Sequence, residues 1–129
     1  MTTIEAPPLP DPSDWSFDAC QMRLRSATAL ITGKENDYKL AIERSADAEA
    51  VYRSEVAKAF ETYREGGKAV EESTTLARRD AAVLGRERDF AAGLVKLRAE
   101  QLEDARDARR SLWRLIEWAR GRDLKDGQS

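Results

Sequence analysis

The residues best suited to chemistry lie near the end of the chain. Between positions 105 and 125, seven bases stand against three acids, a local net of +4 in a chain of 129 residues whose formal net charge is −2. At about 100° per helical residue, Arg109, Arg110, Trp113 and Arg120 fall within about 60° of Arg106, on the face opposite the apolar seam from Phe90 to Ala119, which sets Trp113 away from the helix-pair core. An indole held among guanidinium groups suits single-stranded nucleic acid, because bases stack on the ring while arginines neutralise phosphates. The candidate contact residues are Arg106, Arg109, Arg110, Trp113, Arg114, Trp118 and Arg120. Glu117 shares the face and weakens its field. The same residues also have an ordinary reading. Bases complement the negative end of a helix dipole, and Glu103–Arg106, Asp107–Arg110 and Glu117–Arg120 are i,i+3 pairs that solubilise a surface. Trp113 can equally pack on another helix or on a neighbouring subunit.

Other groups offer less. The chain has no histidine, which excludes a histidine-based dyad or triad, and its one cysteine, Cys20, excludes a disulfide framework and most zinc sites. Cys20 sits near Phe17 and Met22 without an activating base and reads as a small core residue. Gly66-Gly67-Lys68 lacks the strand and spacing of a phosphate loop and reads as a turn. The acid pairs Glu71-Glu72 and Glu103-Asp104 read as solvated surface. No enzyme activity, metal or cofactor is expected.

These side chains need long helices to hold them. Charged residues make up 36% of the chain, and alanine supplies 20 of its hydrophobic residues. Ala, Glu, Lys, Leu and Arg dominate, as they do in coiled coils. All four prolines lie at positions 7 to 12, so residues 1–14 read as an extended, mobile tail and no proline interrupts the rest. Helices are expected at about 15–33, 36–64 and 69–120, with Ser13 or Asp14 capping the first, a break near Gly33 that leaves the first two either separate or one bent rod, and a hairpin bend at Gly66-Gly67. Residues 15–120 form one helical domain in this reading, and 121–129 a flexible C-terminus.

The second helix carries a seam through Tyr38, Tyr52, Val56, Phe60 and Tyr63. The third carries Val83, Glu87, Phe90, Leu94, Leu97, Gln101, Ala105, Ala108, Leu112, Leu115 and Ala119 at 4- and 3-residue steps. A 69–120 helix would be on the order of 75 Å long, against a radius of gyration of about 14 Å for a compact chain of this size. The expected fold class is therefore all-α: an elongated helical hairpin with coiled-coil-like packing. Its alanine-rich seams make a thin core, so burial between subunits, as a homo-oligomer, would offset the entropy of ordering the chain.

No apolar run reaches the ~18 residues of a membrane span and no signal-peptide pattern opens the chain, which points to a soluble, cytoplasmic protein without a membrane partner. The stretch from Ala48 to Asp80, AEAVYRSEVAKAFETYREGGKAVEESTTLARRD, and the closing RRSLWRLIEWAR from Arg109 to Arg120 resemble a group of small phage proteins similar to the UvsY recombination mediators. The resemblance covers about residues 37–120. It implies a helical hairpin that assembles into a ring-like homo-oligomer in the host cytoplasm and binds single-stranded DNA. Such a mediator helps a recombinase displace single-strand-binding protein. No DNA-contact residue transfers from that family to a position here. Two alternatives stay open: a helical interaction module that inhibits a host nuclease or defence complex, and a coiled-coil component of virion assembly.

Overall fold

A computed structural model describes residues 9–126, with side chains to residue 121. The chain is all-α: α1 spans Phe17–Glu65, α2 Val70–Asp80 and α3 Ala82–Asp126. Residues 1–8 of the expected tail and 127–129 of the expected flexible C-terminus lie outside the described residues. Residues 121–126, expected to be flexible, continue α3 as helix.

Three boundaries differ from the sequence expectation. The break at Gly33 does not occur: α1 runs through it for 49 residues. A mid-helix glycine costs only about 1 kcal/mol relative to alanine, too little to end a helix whose other residues favour it. The cap of α1 is neither Ser13 nor Asp14 but Ser16, whose Oγ accepts from the Ala19 amide at 3.3 Å. Finally, the expected 69–120 helix is two, separated at Ala81 (φ −93°, ψ 13°), a residue with no glycine or proline to announce a break.

The bend at Gly66-Gly67 is where the sequence places it. The Lys68 amide bonds the Tyr63 carbonyl at 3.2 Å and the Gly67 amide bonds that of Arg64 at 3.0 Å. This is the paired 6→1 and 5→2 pattern of a Schellman end, with Gly67 at φ +88° in the left-handed position. Arg64 then donates to the Lys68 carbonyl at 2.8 Å, which further holds the turn.

The described residues gather into two compact units, one within 1–37 and 99–129 and the other 38–98. In the first, the ends of α1 and α3 bury Ala19, Cys20, Leu102, Ala105, Ile116 and Ala119. The tail is tied to this unit rather than free across its described part: buried Arg23 donates to the Asp11 carbonyl at 2.6 Å and the Asp14 carbonyl at 2.7 Å, and its guanidinium covers Trp15 at 4.3 Å. Asp11 accepts from the Ser13 hydroxyl and amide, and Asp14 from the Ser16 amide. These bonds hold both carboxyls below their ordinary pKa, with Arg23 adding a weaker pull.

In the second unit α1, α2 and the start of α3 pack together. Ser73 and Ala77 of α2 are fully buried, as is most of Ala81. Tyr63 donates its hydroxyl to Asp80, which pushes the phenol pKa up. Tyr52 lies against Gly85 so closely that a Cβ there would sit 3.2 Å from its ring, and Arg88 covers the ring at 4.0 Å.

That close approach rotates the seam. Tyr52, Val56, Phe60 and Leu94 are half-buried, in keeping with the expected seam, but Val83, Phe90 and Leu97 are exposed at 60, 74 and 46%. The face turned inward is Ala81, Leu84, Gly85, Arg88, Ala91 and Val95, about one residue further round. The physical reason is volume: small residues let the tyrosine ring and the helix backbone approach, so bulk stays outside. In the first unit Leu112 is half-buried on the inner face with Ala105 and Ala119, whereas Leu115 is 51% exposed and its neighbour Ile116 is buried in its place.

Candidate nucleic-acid interface

α3 runs without interruption from Ala82 to Asp126, so 3.6-residue periodicity distributes its C-terminal bases around one cylinder. Leu102, Ala105, Ile116 and Ala119 take the inner face. Trp113 is therefore not opposite the buried face, as the expected seam would have it, but at its margin and 49% exposed, because Leu102 and Ile116 and not Leu115 turn inward. Arg109, Arg110, Trp113 and Arg114, with Glu117, line one shallow groove of about 460 Å³.

The guanidinium groups differ in how free they are. Arg109 donates from Nε to the Thr28 hydroxyl of α1 at 3.2 Å, which steadies it while leaving its other donors available. Arg110 pairs with Asp107 and, at 3.5 Å, with Glu103. Arg114 is exposed and has no ion pair among the described residues. Such exposed pairs contribute about 0–1 kcal/mol each and exchange readily for a phosphate.

The remaining candidates are not brought to the groove. Arg106 turns to Glu35 of α1 and to Glu103, each at 3.7 Å. The Arg120 guanidinium lies 5.5 Å over the Phe17 ring. Trp118 is 64% exposed, but five residues of helix turn it about 140° from Trp113. The side chains of Arg122 and Lys125 lie outside those described.

Among the weaker candidates, Cys20 is buried and donates to the Trp15 carbonyl at 3.5 Å. Glu72 takes an ion pair from Lys68 at 3.4 Å. Glu103 is drawn into the arginine pairs already described.

The second unit holds a groove that the sequence does not announce. Arg53, Arg78 and Arg88, with Glu61, line it together with Tyr52, Val56 and Phe60. In the sequence those three read only as seam, and Arg78 reaches the groove from α2, a helix whose separate existence has no clear mark in the residues. Two of its bases are engaged: Arg53 with Glu49 at 2.7 Å, and Arg88 with Glu49 at 3.6 Å and Asp89 at 3.1 Å.

Compared with known protein families, with curated proteins and with solved structures, the chain finds no match. Among the described residues, no helix is long and apolar enough to cross a membrane.

Proposed function

We propose that this chain binds single-stranded DNA through the α3 groove, and that it serves as a phage recombination mediator in the host cytoplasm. The observation that carries the reading is a half-exposed indole, Trp113, in one groove with Arg109, Arg110 and Arg114. A stacking surface beside arginines whose surface pairs exchange for phosphate recognises any base and any phosphate, as binding without sequence preference requires. The resemblance of residues 37–120 to recombination mediators supports the finer assignment. In that role the chain performs no chemistry and needs no cofactor. Each subunit tracks a few phosphates, and a homo-oligomer multiplies these modest sites into a useful avidity. The strand so held is offered to a recombinase against single-strand-binding protein.

Fluorescence anisotropy with labelled single-stranded DNA tests this. Binding at low salt that weakens steeply as salt rises is expected. No binding at low salt, or binding indifferent to salt, refutes it. The alternative of a protein-interaction module draws on the exposed apolar side chains Phe17, Leu115 and Trp118. Capture of a host nuclease or defence protein that survives nuclease treatment would favour that reading.

A further inference from the structure

The residues displaced from the inner seam of α3 form a pattern of their own. Val83, Phe90 and Leu97 recur every seven residues and are all exposed. Arg86 and Gly93 recur between them, also exposed, and complete the 3- and 4-residue alternation of a coiled-coil seam. This outer face points away from the side on which Gly85 meets Tyr52. A Cβ added at Gly93 would have no atom within 4 Å, so the face has an open notch beside its largest side chain.

We infer that a second copy of this chain covers the outer face of α3, antiparallel, about a two-fold axis near residues 91 and 92. It deepens the oligomeric part of the function proposed above, but its evidence is independent of the DNA groove. Three features select this occupant and this direction. Antiparallel pairing sets Phe90 over the Gly93 notch of the other copy, matching the largest side chain of the face to its vacant position. The same register lays Leu97 along the aliphatic stem of Arg86, whose charge can reach water past it. Asp89 and Lys96, which flank the seam on one side, then face Lys96 and Asp89 of the other copy.

Lys96 is in no ion pair among the described residues, and Asp89 meets only its neighbour Arg88. Two self-complementary ion pairs thus arise from one heptad. A parallel pairing in register would instead set Phe90 against Phe90 and leave Gly93 against Gly93. The pairing is isologous and closes at two chains.

Sedimentation of the full chain at micromolar concentration, without DNA, tests the pairing. The expected mass is two chains or an even multiple. Phe90→Asp should halve it with unchanged helical content, because Phe90 is 74% exposed within its own chain. Gly93→Glu, which fills the notch, should do the same. Lys96→Asp sets acid against acid twice and should weaken association by about tenfold or more. Adding Asp89→Lys to it should restore most of that loss. A mass of one chain or an odd number of chains overturns the inference, as does a Phe90→Asp protein of undiminished mass. A charge swap no better than Lys96→Asp alone overturns the antiparallel register. A single chain that still binds DNA in a salt-dependent way would sink the pairing and leave the DNA reading standing; a dimer that binds no DNA would do the reverse.

Discussion

Trp113 and Gly85 show how one position's neighbours decide what it does. Trp113 lies at the margin of the buried face of α3, so about half of its surface stays open to solvent. Stacking of a base on such a ring contributes about 1–3 kcal/mol. Trp113→Ala should therefore weaken single-stranded DNA binding by roughly 5- to 150-fold with little change in salt slope. Arg109→Ala with Arg110→Ala should lower that slope, by about 0.7 for each phosphate no longer neutralised. Anisotropy titrations at several salt concentrations read both effects, and wild-type behaviour in both variants would clear the groove of any role. The glycines make a stability prediction at the same scale. Gly33 is helical, exposed and surrounded by open space, so Gly33→Ala should stabilise by about 0.5–1 kcal/mol and raise Tm by a few degrees. Gly85→Val should lower Tm, because its side chain would meet the Tyr52 ring. Thermal melts followed by circular dichroism check the pair.

Among the elements, the N-terminal segment and the α1–α2 turn are the most testable. Residues 11–16 are held by Arg23 and by two aspartates that accept local hydrogen bonds. Their carboxyl pKa values are lowered by folding, so the contribution to order is present above the ordinary aspartate range and is lost as pH falls through the lowered values. Acidification from about pH 5 to well below the usual aspartate pKa near 3.9 should release Trp15 from Arg23. Its fluorescence should then change before the helical signal does. Arg23→Ala should produce the released spectrum at neutral pH, and a Trp15 signal that never precedes unfolding would contradict this tether. At the turn between α1 and α2, Gly67 has φ +88°. Gly67→Ala should cost about 1–2 kcal/mol, visible as a Tm drop of several degrees, whereas Gly66, whose φ is not positive, should tolerate alanine far better.

At the scale of the whole molecule, each compact unit has a core built largely from alanine. Of the described buried hydrophobic residues only Leu102 and Ile116 are bulky, while Phe17, Phe90, Leu115 and Trp118 are half or more exposed. Helices that approach closely over small side chains leave their large ones outside, where a partner can use them. The association inferred above predicts a Tm that rises with protein concentration. A Tm constant across a hundredfold concentration range would mean that a single chain is sufficient.

Much of this was legible in the residues alone. Helicity follows from composition and from the absence of proline after residue 12, the turn from two adjacent glycines, and the grouping of Arg109, Arg110 and Trp113 from the helical repeat. All three are local properties, set by a residue and its neighbours within a turn or two. The inward face of α3 was not legible, because Val83, Phe90 and Leu97 make the better hydrophobic stripe on paper. Tyr52 of α1, more than 30 positions away, selects Gly85 and the small residues around it instead. The same holds for Arg106, drawn from the groove by Glu35, and for the tail, held by Arg23. Periodicity states which residues share a side of a helix. Only the volume and charge of what packs against that helix choose which side is buried.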